Sequence, residues 1–261
     1  MPRVITLTTD FGPSSPYVAA MKGVIMSINP NATIVDITHA VPAQDIRQGA
    51  LALAETARWF PAETIHVAVV DPGVGTARRI LYAGFGTQHY IAPDNGLLSR
   101  LALAASPSTI IHVSDPQFWL PTVSATFHGR DVMAPVAARL SLGLEPARLG
   151  AAVGEMVQLQ WPEASVTGKR IEGAVQAIDS FGNLVTNITA DKLIHVPHGE
   201  ETTIVCDEHE TRGIFAAYAD QPEMTLIALV GSSGNLELAI VGDSAAIMLG
   251  VAVGAPVTVT W

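Results

Sequence analysis

Thr64-Ile65-His66-Val67-Ala68-Val69-Val70-Asp71-Pro72-Gly73 is a nearly continuous apolar run that stops at a carboxylate and a Pro-Gly turn. A strand exposed on one face alternates apolar and polar residues. A run without alternation is expected where a parallel strand is covered on both faces. The flanking segments agree with that reading. Val4–Thr8 and Thr33–Ile37 are short β-branched runs. Tyr17–Ile28 puts Val18, Met21, Val24, Ile25 and Ile28 on one helical face, and Asp45–Phe60 reads as a helix with Ile46, Leu51, Leu53, Ala54 and Trp59 available for burial. Ile80–Ala83, His89–Ala92 and Thr109–Val113 read as further strands, and Asn95–Ala104 and Arg130–Leu140 as helices.

This alternation predicts an open α/β sheet with Rossmann-like layers over residues 1–154. In such sheets ligands sit beyond the carboxyl ends of the strands. Three polar loops follow three strands and are expected on one edge: Thr9-Asp10-Phe11-Gly12, Asp71-Pro72-Gly73 and Pro93-Asp94-Asn95-Gly96. Residues 155–168 weaken the pattern and read as a linker. From residue 169 to 261 short strands dominate: Gly173–Ile178, Leu184–Ile188, Thr202–Cys206, Thr225–Leu229, Leu236–Ile240 and Pro256–Trp261. They predict a smaller all-β barrel domain.

Composition narrows the function. The chain of 261 residues is 49% hydrophobic and 15% charged, which excludes disorder. Its 24 acidic and 14 basic residues give a formal charge of −10, with no Lys/Arg cluster, so nucleic acid is not an expected partner. A cationic or zwitterionic small molecule suits such a field better. The single cysteine, Cys206, excludes an internal disulfide and a cysteine-based zinc site and reads as a buried inert thiol. The eight histidines are scattered, and neither a His-Glu-x-x-His motif nor an aspartate-rich calcium loop is present, so no metal is expected. Gly-x-Ser-x-Gly, a dinucleotide fingerprint and a Walker lysine motif are also absent. The N-terminus enters a strand directly, and Ser244–Trp261, the longest low-charge stretch, is broken by Gly250, Gly254 and Pro256. Neither a signal peptide nor a membrane span is therefore expected, and the location read is cytoplasmic.

Asp71 and Arg78 stand seven residues apart, and a second polar knot, Phe127-His128-Gly129-Arg130-Asp131, interrupts another apolar region. One carboxylate, one guanidinium and one imidazole can hold and activate a water. Taken singly, each has a plainer role: Asp-Pro-Gly is turn chemistry, Arg78 a surface charge, His128 a hydrogen-bonded structural histidine.

Their company changes the balance. Thr8-Thr9-Asp10-Phe11-Gly12, Val69-Val70-Asp71-Pro72-Gly73-Val74-Gly75-Thr76, Ala92-Pro93-Asp94-Asn95-Gly96-Leu97-Leu98, Phe127-His128-Gly129-Arg130-Asp131 and Ile178-Asp179-Ser180-Phe181-Gly182-Asn183 occur in that order. Together, and over essentially the whole chain, they resemble the S-adenosyl-L-methionine (SAM) hydroxide adenosyltransferase family, or SAM hydrolases, whose superfamily includes SAM-dependent chlorinases and fluorinases. The resemblance implies hydrolysis of SAM to adenosine and L-methionine, SAM being substrate and no cofactor being needed. It implies an N-terminal α/β domain, a C-terminal β-barrel, and a homotrimer with each active site between the N-domain of one subunit and the C-domain of its neighbour. The family's catalytic trio falls on Asp71, Arg78 and His128.

By the same resemblance Asp10 binds the ribose hydroxyls and Asn183 contacts adenine. Asp179 and Ser232 hold the amino-acid end, and Glu237 and the backbone near Ile240 complete the pocket. Phe11, Phe181, Asp94 and Asn95, within the same motifs, are counted as substrate contacts. Two departures stand out. Val185 replaces the tryptophan that lies near adenine in fluorinases, and Ser233 replaces an arginine that follows the serine in halogenating relatives. Those relatives also carry tyrosine where this chain has Asp71 and Tyr-Ser where it has His128-Gly129. An aspartate repels halide and a glycine offers it no hydroxyl, so water is the expected nucleophile. The competing readings are a SAM-dependent halogenase, a non-catalytic adenosine or SAM sensor, and a metal-dependent hydrolase of another nucleoside or phosphoester.

Overall fold

The computed structural model describes residues 3–261. The chain forms two compact units, one ending at Gln160 and one spanning Trp161–Trp261. Both are built around sheets, and the fold is mixed α/β.

The first unit contains β1 (Val4–Thr9), α1 (Pro16–Ile28), β2 (Thr33–Thr38), α2 (Ile46–Ala57), β3 (Ile65–Val69), β4 (Ile80–Phe85), β5 (Gln88–Pro93), α3 (Ser99–Ala104), β6 (Thr109–His112) and α4 (Ala134–Ser141). Its six strands are ordered β2-β1-β3-β5-β4-β6. The first four of that order pair in parallel, while β4 runs antiparallel to both neighbours. Every residue of β3 is buried, as its unbroken apolar run requires. Ser15 caps α1, accepting from the Tyr17 amide, and Pro16 stands at its first turn, where no backbone donor is needed. Val18, Met21 and Ile25 are the buried face of α1, packing with Ile5, Leu7, Val67 and Val69 of the sheet into the main core.

The unit departs from expectation in four places. The sheet is mixed, because β4 and β5 form a hairpin with no crossover helix between them. Trp59 is 75% exposed, since α2 ends at Ala57 and leaves it in the following turn. Only Ser99–Ala104 of the predicted Asn95–Ala104 segment is helical, because Gly96 sits at φ +98° in a turn. The Arg130–Leu140 segment begins as a π-helical turn, Gly129–Met133, before α4 takes over.

The second unit contains β7 (Ser165–Thr167), β8 (Arg170–Ile178), β9 (Leu184–Thr189), β10 (Thr203–Cys206), β11 (His209–Arg212), β12 (Leu226–Val230), β13 (Asn235–Ile240), α5 (Ala245–Leu249) and β14 (Pro256–Thr260). Its strands pair antiparallel in the order β11-β10-β14-β8-β9-β13-β12, with β7 on β8. The Thr211 hydroxyl of β11 donates to the Leu226 carbonyl of β12 at 2.7 Å, so the two ends of the sheet nearly meet in a barrel. Strands β7 and β11 and helix α5 lie outside the expected elements; the first two are three and four residues long, too short for a period to register. Cys206 is fully buried, and burial pushes its thiol up to about 11, which leaves it unreactive. No helix among the described residues is long and apolar enough to cross a membrane.

Candidate functional site

Parallel pairing of β1, β3 and β5 brings the loops after all three to one edge of the sheet. The loop after β1 carries Asp10, whose Oδ2 accepts from the Gln44 backbone amide at 2.8 Å. The loop after β3 carries Asp71 and folds back through two tight turns. The Val74 amide donates to the Asp71 carbonyl at 3.2 Å and the Thr76 amide to the Gly73 carbonyl at 3.2 Å. Gly75 adopts φ +80°, and a Cβ there would lie 2.3 Å from the Ala125 carbonyl oxygen. Only glycine lets the loop pass so close to the segment that carries His128.

The turn aims Arg78 at Asp71. Arg78 Nε donates to Asp71 Oδ1 at 2.8 Å and Oδ2 at 2.9 Å, and Nη2 makes a further short contact with Oδ2. The same Nη2 lies 2.9 Å from His128 Nδ1. Arg78 is therefore the middle member, bonded to both partners, with the Asp71 side chain 5% and the Arg78 side chain 11% exposed. Burial first, and the Arg78 charge second, hold the His128 imidazole below its ordinary value against the opposing pull of Asp71 and Asp131. His128 is neutral near pH 7 on that basis.

The segment bearing His128 is tied down by Asp131, which is wholly buried. Its Oδ2 accepts from the Ser124 amide at 2.8 Å, and Arg130 Nε donates to its Oδ1 at 2.6 Å. Asp10, Phe11, Asp71, Phe127, His128 and Gly129 line a cavity of about 380 Å³. Phe11, Tyr17 and Phe127 meet edge to face at centroid separations of 5.1–5.7 Å and make one wall of it. A Cβ on Gly129 would meet Val69, Met21 and Phe127 at 3.3–3.4 Å, so the floor there is already close-packed.

Asp94 and Asn95 do not line this cavity. Asp94 is bound by Arg79, with Nε at 2.8 Å, and accepts from the Val157 amide at 2.8 Å. Asn95 donates from Nδ2 to the Val70 carbonyl at 2.8 Å and so secures the end of β3.

In the second unit, Asp179, Phe181, Asn183, Ser232, Glu237 and Ile240 all line one cavity of about 740 Å³. Asp179 organises its own turn: Oδ1 accepts from the Phe181 and Asn183 amides at 2.9 and 2.8 Å, and Oδ2 from Asn183 Nδ2 at 2.9 Å. That arrangement commits the amide nitrogen of Asn183 to Asp179, leaving its Oδ1 as the free acceptor. Glu237 is 6% exposed and accepts from the Tyr218 hydroxyl at 3.0 Å. Burial raises its carboxyl above the usual range; the Tyr218 hydrogen bond opposes this and the Asp179 charge adds to it. Phe181 is 77% exposed at the rim.

Tyr17, Gln44 and Tyr218 line the cavities without having been singled out in the sequence. Tyr17 reads as the start of a helix, and Tyr218 sits in a three-residue 3₁₀ turn, where no periodicity marks it.

Residues 5–150 match the model of the SAM hydroxide adenosyltransferase N-terminal domain, and residues 173–258 that of the C-terminal domain. The chain belongs to the SAM hydroxide adenosyltransferase family. Proteins named (R)-S-adenosyl-L-methionine hydrolase from Salinispora arenicola and Thermus thermophilus are 39% and 38% identical to it, covering 98% of this chain and 97% and 98% of their own. A fluorinase from Actinopolyspora mzabensis is 30% identical over 90% of each chain. The crystal structure of an uncharacterized conserved protein from Thermotoga maritima superposes with a TM-score of 0.93 at 32% identity, covering 99% of this chain and all of that one. This member of the family carries an aspartate at 71 and a glycine at 129.

Proposed function

We propose that the protein hydrolyses S-adenosyl-L-methionine to adenosine and L-methionine, by in-line attack of a water held at Asp71 and His128 on C5′. The observation that carries this reading is the Arg78 bridge, which fixes the two groups against one cavity with defined hydrogen-bonding roles. Because Arg78 donates to Nδ1, the neutral His128 keeps its proton on Nε2 and can donate to the water oxygen. Asp71 accepts a hydrogen bond from the same water. The oxygen forms its bond to C5′ as the C5′–S bond breaks, and that electron pair neutralises the sulfonium to a thioether. The water's proton leaves towards Asp71, since His128 already holds one. Positioning of this kind lowers barriers by several kcal/mol, and proton transfer adds roughly 10²–10⁴-fold. A neutral leaving group needs no Lewis acid, which supports a reaction without metal or cofactor.

On this reading Asp10 takes the ribose hydroxyls, Asn183 presents its carbonyl to the adenine amine, and Asp179, Ser232, Phe181, Glu237 and Ile240 receive the rest of the substrate. The working enzyme is a cytoplasmic homotrimer in which the first unit of one subunit and the second unit of its neighbour share a substrate. The same reading takes the first unit as Rossmann-like layers and the second as a closed β-barrel. The sulfonium epimer is (R), the one in the names of its hydrolase relatives.

The test is incubation of purified protein with SAM, with and without EDTA and with and without chloride, products being separated by chromatography. Adenosine plus methionine, insensitive to both additions, is expected. A 5′-halo-adenosine or an EDTA-sensitive rate would sink the reading. Binding without turnover would make the protein a sensor. Asp71→Ala is expected to abolish hydrolysis while adenosine still binds.

A further inference from the structure

His39 stands just past the end of β2, where the sheet slips register. Leu7 pairs with Asp36 but Thr8 with Thr38, so Ile37 is an extra residue on β2. In a regular strand, residues three apart point to opposite faces; the extra residue lets Asp36 and His39 meet. His39 Nε2 lies 3.1 Å from Asp36 Oδ1, and Lys22 Nζ holds Asp36 Oδ2 at 2.5 Å. The other ring nitrogen, Nδ1, lies 3.0 Å from the Thr9 hydroxyl at the end of β1. The hydrolytic step uses none of these groups.

Carboxylate, imidazole and hydroxyl in that order can make a nucleophile. Here they do not, because Thr9 is wholly buried and its oxygen accepts from the Phe11 amide at 3.3 Å. The carboxylate facing Nε2 sets the ring proton there, which leaves Nδ1 to accept from the Thr9 hydroxyl. The relay therefore ends on backbone. The His39 carbonyl also accepts from the Gly12 amide at 2.8 Å. Both amides that follow Asp10 are thus held by His39, one through the Thr9 hydroxyl and one directly. Further along the same segment Gln44 adopts φ +64°, a region that residues other than glycine seldom enter, and its amide donates to Asp10 Oδ2 at 2.8 Å. Asp10 Oδ1 has no protein partner among the described residues, and Asp10 lines the trio's cavity.

We propose that His39, oriented by Asp36, is a positioning residue that holds the Asp10 loop so that the carboxylate meets the ribose diol of the substrate. This rests on Asp10 taking the ribose hydroxyls. Two neighbouring hydroxyls and a carboxylate form paired charge-assisted hydrogen bonds only in a narrow range of orientations. Oδ2 keeps a lone pair after the Gln44 contact, so both oxygens remain able to accept. A carboxylate held in place before the ligand arrives spends less of the binding energy on ordering. His39 touches no substrate atom on this reading; it acts through Thr9 and the backbone on either side of Asp10.

The test uses the full-length protein, titrated calorimetrically with adenosine and with 2′,3′-dideoxyadenosine, which lacks only the two hydroxyls. Paired charge-assisted hydrogen bonds predict adenosine binding at least about 10-fold tighter, and Asp10→Ala is expected to erase that ratio. His39→Leu is expected to cut it to about 3-fold or less while the affinity for the dideoxy ligand stays unchanged. His39→Asn, whose amide oxygen can accept from Thr9, should restore most of it. A role in stability alone would leave the ratio intact. Where His39→Leu does not fold, Asp36→Asn frees the imidazole from a side chain that is 38% exposed and is read in the same way. A ratio lost in Asp10→Ala but kept in His39→Leu or Asp36→Asn overturns the positioning role alone, as does a His39→Asn variant no better than His39→Leu. Equal binding of the two ligands by the unaltered protein, or a ratio kept in Asp10→Ala, overturns the ribose reading on which the role rests.

Discussion

Nη2 of Arg78 stands 2.9 Å from Nδ1 of His128. A guanidinium has no acceptor, so the imidazole lone pair must face it and the ring proton must sit on Nε2. One arginine thus sets the tautomer of the histidine and holds the carboxylate of Asp71, and the water is left with one donor and one acceptor.

Arg78→Lys keeps the charge and loses the fork, so a single ammonium cannot reach both partners in the same geometry. The expected result is a fall in kcat of about 100-fold or more, of the order general-base and positioning effects supply, with KM changed much less. Steady-state kinetics on SAM, with adenosine affinity as a control, reads this directly. Near-normal kcat would remove the bridge from the mechanism.

Protonated His128 would turn a donor towards the Arg78 guanidinium. Burial and the Arg78 charge both favour the neutral form, so His128 holds it to lower pH than a free histidine does. Activity is therefore expected to be flat through neutrality and to be lost as pH falls below the ordinary histidine range. Arg78→Gln removes a charge that depresses the value, so the His128 titration followed by NMR should move to higher pH. A titration that does not move would mean that the contact is absent in solution.

Gly75→Ala places a methyl group 2.3 Å from the Ala125 carbonyl at a φ of +80°. The loop must shift, and with it the reach of Arg78 to His128. Activity should fall sharply while the unfolding free energy drops by only about 1–3 kcal/mol, because the strain is confined to one loop. Kinetics beside urea unfolding checks it, and a fully active variant would argue against the close approach.

His66 is fully buried, 2.7 Å from the Thr6 hydroxyl and stacked on Tyr90. Burial lowers it to about 4 from an ordinary 6.5, so the folded state binds its proton less readily than the unfolded chain does. The stability this represents is fully present above about pH 6.5 and is lost as pH falls from there towards about 4, up to roughly 3 kcal/mol in all. His66→Gln should flatten the change in unfolding free energy between pH 7 and pH 5, whatever it costs at neutrality. An unchanged slope would assign the acid sensitivity elsewhere.

Much of this was legible beforehand, for reasons that differ by element. The unbroken apolarity of Ile65–Val69 marked a strand covered on both faces, and the face of Val18, Met21 and Ile25 marked α1, because burial leaves a period in the sequence. The strands of the second unit were bounded by turn residues. Short elements escaped: β11 and the 3₁₀ turn carrying Tyr218 span four and three residues. Trp59 was misplaced because apolarity alone does not say where a helix stops.

The site divides along the same line. Sequence alone determined which chemical groups are present and in what order, and five ordered motifs were enough to point to a family. Tertiary structure alone decided that Arg78, and not a water or Asp71, stands between its two partners, and that Asp94 and Asn95 turn away into Arg79 and the Val70 carbonyl. The physical reason is that a hydrogen bond needs its donor and acceptor within about half an ångström of an optimal distance and nearly in line. Arg78 and His128 are 50 residues apart, brought together by a loop that only a glycine lets close.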